Sequence, residues 1–182
     1  MNLPDKYLHG IPNLLSAIRF VLAIPMGFLV WQGEWVLAAV VLWIAIGTDI
    51  ADGRLARYLG QESNLGGLLD HSSDAVFVSV TLAALVHHAL IPVVLPCLVI
   101  LAFLQYMLDS KSLAGKPLKT SQLGRYNGIC YFILAGFPVM QHALQITLIS
   151  NDYFPWLGWG LVLSTAISMI DRLATLIRGV DE

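Results

Sequence analysis

The chain has 182 residues, 57% apolar and 12% charged, with a formal net charge of −2 and a mean hydropathy of +0.73. A typical soluble domain carries about 25% charged residues, so a globule this apolar would lack the charges to coat its surface. The same composition excludes a disordered chain and a disulfide scaffold, and it leaves no basic footprint for nucleic acid.

Six apolar stretches approach the roughly 20 residues that a helix needs to cross a hydrocarbon core of about 30 Å. In chain order they are Ile11 to Trp31, Trp35 to beyond Thr48, Leu65 to His87, Ile91 to Leu108, Leu123 to Ile149, and Tyr153 to Ile177. They are too long and too weakly alternating for barrel strands. The first is too long for the core of a cleaved signal peptide, and only Lys6 precedes it. Pro25, Pro96 and Pro138 lie inside spans, which membrane helices tolerate. Cys97 and Cys130 sit in apolar runs and imply no disulfide. The expectation is an all-α, polytopic membrane protein with six transmembrane helices. It forms one domain over residues 1–182, and residues 1–10 form a short interfacial lead-in.

Basic residues orient such a bundle. With six spans, Lys6, Arg54, Arg57, Lys111, Lys116, Lys119, Arg125, Arg172 and Arg178 all fall on the side of the termini, and Arg19 lies inside the first span nearer that side. The opposite connections hold Glu34, His87, His88 and Asp152 without Lys or Arg. Both termini are therefore expected in the cytoplasm. Trp31, Trp35, Trp156 and Trp159 fall toward the other interface, where an aromatic belt belongs.

Asp49, Asp52, Asp70 and Asp74 lie at or near membrane depth, where an unpaired acid costs roughly 2.5–3.5 kcal/mol on insertion scales. Asp49, Asp52, Gly53, Ala56 and Arg57 share one helical stripe, and Gly66, Asp70 and Asp74 share another. Gly60, Ser63 and Asn64 lie between and can reverse the chain, which would make the second and third helices antiparallel neighbours. Four converging carboxylates stay ionised together only with cations among them. An all-oxygen set suits Mg²⁺, Mn²⁺ or Ca²⁺ and not zinc. Two bridged ions about 3.5–4 Å apart would suit phosphoryl chemistry. A different class fits the acids alone: an ion- or proton-coupled transporter, where intramembrane carboxylates mark the pathway.

Asp49-Ile-Ala-Asp52-Gly53-Arg-Leu-Ala56-Arg57, eight residues, Gly66, three residues, Asp70, three residues and Asp74 resembles the signature of the CDP-alcohol phosphatidyltransferases at all eight fixed positions. At average residue frequencies of about 5–7% such a match has a chance probability on the order of 10⁻¹⁰ per window. The resemblance implies a six-helix membrane enzyme, usually a homodimer. It would move a phosphatidyl group from CDP-diacylglycerol to the hydroxyl of a polar alcohol, releasing CMP, on the cytoplasmic face of a bacterial inner membrane. It further implies that Asp49, Asp52 and Asp70 ligate one Mg²⁺ or Mn²⁺ and that Asp49, Asp70 and Asp74 ligate a second. Asp74 would also be the general base. Gly53, Arg57 and Ser63 would bind the CDP group, with Ala56 and Gly66 allowing close approach.

The Ile11-Pro-Asn-Leu-Leu opening with Arg19, the short length and the Lys119-Thr-Ser-Gln122 segment resemble the phosphatidylglycerophosphate synthases. That points to glycerol 3-phosphate as acceptor, with inositol phosphate or another alcohol as the alternative. Those enzymes usually carry Asp-Pro-x-x-Asp-Lys in the third helix, whereas this chain has Asp70-His71-Ser72-Ser73-Asp74-Ala75. Lys116, Lys119, Arg125 and Arg172 are the candidate acceptor-binding cations; setting topology is the competing role for them. Asn13 and Arg19 are polar within the first span. Facing the nucleotide and satisfying a neighbouring helix are both open to them.

Overall fold

The computed structural model describes residues 11–59, 64–109 and 122–177, with side chains except at positions 11–13, 52, 53, 55–57, 59, 64, 65, 109, 176 and 177. Among these residues six helices follow one another: α1 (Ile11–Gln32), α2 (Trp35–Leu59), α3 (Asn64–His87), α4 (Val94–Asp109), α5 (Gln122–Ala143) and α6 (Tyr153–Ile177). No strand occurs among the described residues.

α1 turns a regular stripe inward. Ser16, Arg19, Ala23, Met26 and Val30 are buried, while Leu14, Val21, Ile24, Phe28 and Trp31 face outward. The three-and-four spacing keeps one face against its neighbours. Gly27 lets that face come close to α3: a Cβ there would stand 2.5 Å from Val80 Cγ1. α1 packs against both α2 and α3, and the bundle closes through α3–α4, α4–α6, α6–α5, α2–α5 and α3–α5. This corrects one expectation. α2 and α3 share no comparable contact among the described residues, because α1 lies against both of them.

Among the described side chains, large apolar ones are exposed on every helix except α3. In water that would be a contiguous sticky surface, whereas in lipid it carries no penalty. α3, which bears Asp70 and Asp74, is thus the interior helix. Among the described residues three segments are long and apolar enough to cross a membrane: Leu14–Gln32, Gly66–His87 and Tyr153–Thr175; Trp35–Ala51 and Val94–Leu108 are shorter apolar helices. α5 is more polar, carrying Arg125, Asn127, Gln141 and His142.

Two helix ends differ from the hydropathy reading. The fourth helix starts at Val94 rather than Ile91, because Ile91 and Pro92 belong to the turn, where the Pro92 carbonyl accepts from Leu95 N at 3.0 Å. The fifth ends at Ala143 rather than Ile149. Gln141 folds the following apolar residues back on the helix: its Oε1 accepts from Leu148 N and Ile149 N, and its Nε2 donates to the Ile149 carbonyl. Hydropathy cannot separate an apolar loop from an apolar helix. The α1–α2 turn closes with Gly33 at φ +76° and Glu34 N donating to the Leu29 carbonyl at 2.9 Å. This is the left-handed helix ending that glycine permits. Trp31 stacks on His87 at 4.1 Å and Trp35 on His142 at 4.5 Å, so two of the four tryptophans expected in an aromatic belt gather at this end of the bundle.

Gly158 is a second close approach. An added Cβ would fall 2.4 Å from Pro92 Cδ, and a proline ring cannot rotate away. Gly158→Ala is therefore expected to destabilise the bundle by about 1–3 kcal/mol, read as a lower midpoint in detergent unfolding. A Gly160→Ala control, with open space at its Cβ, should leave the midpoint in place.

Candidate active site at a carboxylate cluster

Three helices meet at one guanidinium. Arg19 on α1 is fully interior, with its side chain 1% exposed. Its Nη2 lies 3.0 Å from Asp49 Oδ1 on α2. Its Nη1 lies 3.0 Å from Asp70 Oδ1 on α3, donates to Ser73 Oγ at 3.2 Å and also pairs with Asp74 Oδ1. Ser73 Oγ in turn donates to the Asp70 carbonyl at 2.7 Å, which fixes the hydroxyl as an acceptor for Arg19.

The local reasons are simple. Asp70, Ser73 and Asp74 stand three and four residues apart and so share one face of α3. Arg19 sits on the inward stripe of α1, one turn from Ser16. A cation buried in an apolar bundle must be paired, and the planar fork of arginine can serve several carboxylates at once. The three acids are less buried than their partner, at 48% exposure for Asp49, 32% for Asp70 and 36% for Asp74. They form the mouth of the site, and Arg19 forms its floor.

The expected convergence of Asp49, Asp70 and Asp74 is thus present, and Gly66 stands one turn before Asp70 on α3. The side chains of Asp52, Gly53, Ala56 and Arg57 lie outside the described residues, as do Ser63, Lys116, Lys119 and, among side chains, Asn13. Arg125 and Arg172 both line a cavity of about 530 Å³ that also reaches Asp49 and Asp74. Arg172 lies over the Tyr106 ring, 4.9 Å from its centre.

Arg19 is the site residue whose role the sequence left open. The signal was present, since an arginine well inside a span must reach the interface or meet acids, and the acids lay on its side of the bilayer. One ligand atom each from Asp70, His71 and Asp74 lie within 4.8 Å of one another.

The donor set fits a hard cation. Asp49, Asp70 and Asp74 offer oxygen, the ligand that Mg²⁺ and Mn²⁺ prefer, and they already surround one positive centre. When ionised they exceed Arg19 by two negative charges. A divalent ion would complete that balance.

Fold and cluster together define a helical membrane protein with a polar centre built to hold positive charge. The family model for CDP-alcohol phosphatidyltransferases matches residues 9–170, and the chain belongs to that family. Among its relatives, a cardiolipin synthase (CMP-forming) of Rattus norvegicus is 40% identical over 91 residues, which are 50% of this chain and 30% of the relative. A CDP-diacylglycerol–glycerol-3-phosphate 3-phosphatidyltransferase of Pseudomonas fluorescens is 38% identical over 97 residues, 50% of this chain and 49% of the relative. A putative cardiolipin synthase of Mycobacterium tuberculosis is 37% identical over 71 residues, 37% of this chain and 33% of the relative. The matched segments thus cover about a third to a half of these relatives' length.

Proposed function

We propose that this protein transfers a phosphatidyl group from CDP-diacylglycerol to the hydroxyl of a polar, phosphate-bearing alcohol, with glycerol 3-phosphate as acceptor. The observation that carries this is the meeting of Asp49, Asp70 and Asp74 at one charged centre, inside a chain whose family is defined by CDP-alcohol chemistry. The enzyme would act as an integral protein of a bacterial inner membrane. Six helices would cross the bilayer, both termini would be cytoplasmic, and the working form would be a homodimer. The basic residues on the side of the termini and the aromatic belt at the other end support that orientation.

The acceptor oxygen attacks the phosphorus that carries the diacylglycerol. A new O–P bond forms, the pyrophosphate bridge breaks toward CMP, and the hydroxyl proton passes to Asp74. As general base, Asp74 needs to be within hydrogen-bond reach of that hydroxyl. Its carboxylate lines the cavity where Arg125 and Arg172 can hold an acceptor phosphate. Asp49, Asp52, Asp70 and Asp74 would hold two Mg²⁺ or Mn²⁺ ions, which when bound neutralise the pyrophosphate charge. Gly53, Ala56 and Gly66 would let the CDP group approach the helices closely, and Arg57 and Ser63 would bind it. Arg19 holds three of the carboxylates in place from below.

The test is CMP release by purified protein given CDP-diacylglycerol, Mg²⁺ and, in turn, glycerol 3-phosphate, phosphatidylglycerol, inositol phosphate, inositol or serine. Turnover is expected with glycerol 3-phosphate, should stop on chelation and should return with Mg²⁺ or Mn²⁺. Turnover only with an unphosphorylated alcohol would refute the acceptor assignment. Ion flux in liposomes without CMP from any pair would favour a transporter.

A further inference from the structure

The cavity beside Asp49 and Asp74 is lined from α2 to α6, with no residue of α1 among the described lining. Asp49 and Asp74 therefore meet Arg19 on α1 and this cavity on the other helices. At about 530 Å³ it has the size of a small-molecule site. Its polar side chains divide into two groups. Some are consumed by bonds between or within helices: Tyr131 pairs its hydroxyl with Thr165, and Thr165 Oγ1 donates to the Leu161 carbonyl at 2.6 Å.

Gln105 on α4 and Asn127 on α5 are only half consumed. Gln105 Nε2 donates to the Met169 carbonyl at 3.0 Å, and Asn127 Oδ1 accepts from Ser164 Oγ at 2.7 Å. Gln105 Oε1 and Asn127 Nδ2 are buried and have no hydrogen-bond partner among the described residues. Asn127 is 4% exposed. Exchanging O for N does not remove the deficit. A flipped Gln105 would set oxygen against the Met169 carbonyl, and a flipped Asn127 would orphan its oxygen instead. Buried polar atoms are normally paired, so each exception requires an explanation. These two, unlike Ser79 Oγ, line one cavity, and that cavity also holds the proposed base Asp74 and the cations Arg125 and Arg172.

We infer that Gln105 and Asn127 are the acceptor-reading pair: Gln105 Oε1 accepts from a hydroxyl next to the one that reacts, and Asn127 Nδ2 donates to an acceptor phosphate oxygen. This rests on the transferase reading above and adds a demand for two neighbouring hydroxyls. Free glycerol 3-phosphate and the glycerol headgroup of phosphatidylglycerol both meet it. A site built to bond a substrate hydroxyl discriminates strongly against an analogue lacking it.

The experiment compares glycerol 3-phosphate, phosphatidylglycerol and 3-hydroxypropyl phosphate, which keeps the reacting hydroxyl and the phosphate but lacks the neighbouring hydroxyl. The wild type should favour glycerol 3-phosphate or phosphatidylglycerol over the analogue by at least about tenfold in kcat/KM, the worth of roughly one good hydrogen bond. Which of the two it favours tells a soluble acceptor from a lipid one. Gln105→Leu should collapse the preference toward unity, with KM for CDP-diacylglycerol within about twofold. Asn127→Asp keeps an acceptor for Ser164 but turns the free donor into an acceptor, and should raise acceptor KM about tenfold or more.

A wild type with no preference against the analogue overturns the pair, as does a preference unchanged in Gln105→Leu. An unchanged acceptor KM in Asn127→Asp removes Asn127 from it. Absence of CMP with every acceptor overturns the transferase reading itself. CMP release with an indifferent wild type overturns the pair alone.

Discussion

Asp74→Asn is expected to lower CMP release at least about a thousandfold while the protein still inserts and unfolds cooperatively. Removing a general base costs about 10²–10⁴ in rate, and the same substitution weakens any cation held by the cluster. The fold should survive, because Arg19 keeps Asp49, Asp70 and Ser73 as partners. The measurement is turnover at saturating CDP-diacylglycerol and acceptor, next to an unfolding midpoint in detergent. Asp152→Asn is the control. Asp152 is exposed, in the segment between α5 and α6, and accepts from Ser150 Oγ, so its loss should leave turnover unchanged. Near-wild-type turnover in Asp74→Asn would remove Asp74 as the base.

Arg19→Gln carries the second large effect, and it is on stability as well as activity. Taking the charge from a fully buried guanidinium leaves three carboxylates facing one another. Breaking a buried pair by deleting one partner costs about 3–5 kcal/mol. The lower end applies here, because each carboxylate is a third to a half exposed and water screens part of the repulsion. The expected loss is therefore about 3 kcal/mol in chelator-containing detergent. Added Mg²⁺ or Mn²⁺ should then raise the unfolding midpoint of the variant more than that of the wild type, since the ion takes over the missing charge. Arg19→Lys should recover only part of the loss, as a single ammonium cannot serve three carboxylates in the way a planar fork does. Equal stabilisation of variant and wild type by the ion would mean that the three acids do not form one cation site.

Class and chemistry were readable from the residues. An apolar excess with few charges admits few solutions besides a helical bundle in lipid, because every backbone group in hydrocarbon must be paired within its own element or a closed barrel. The acids were readable for the same reason. Carboxylates at membrane depth are costly enough that their spacing has to serve a purpose, and periodicity alone placed Asp70 and Asp74 on one face. The helix ends at Val94 and Ala143 were less legible, since Pro92 and Gln141 act through turns and tertiary hydrogen bonds that hydropathy does not register.

The partners of Arg19, Gln105 and Asn127 were beyond such reading. In a chain apolar on nearly every face, no amphipathic phase tells which way a lone polar side chain points. Burial of Arg19 among Asp49, Asp70 and Asp74 depends on α1 lying against both α2 and α3, and the half-satisfied amides depend on α4, α5 and α6 closing around one cavity. Composition and spacing thus determined that this is an apolar, membrane-type helical bundle in which acids gather. Only packing decided which helix supplies the counter-charge and which amides are left half-satisfied, because neighbour relations between helices arise from side-chain fit across the bundle and not from the order of residues along any one of them.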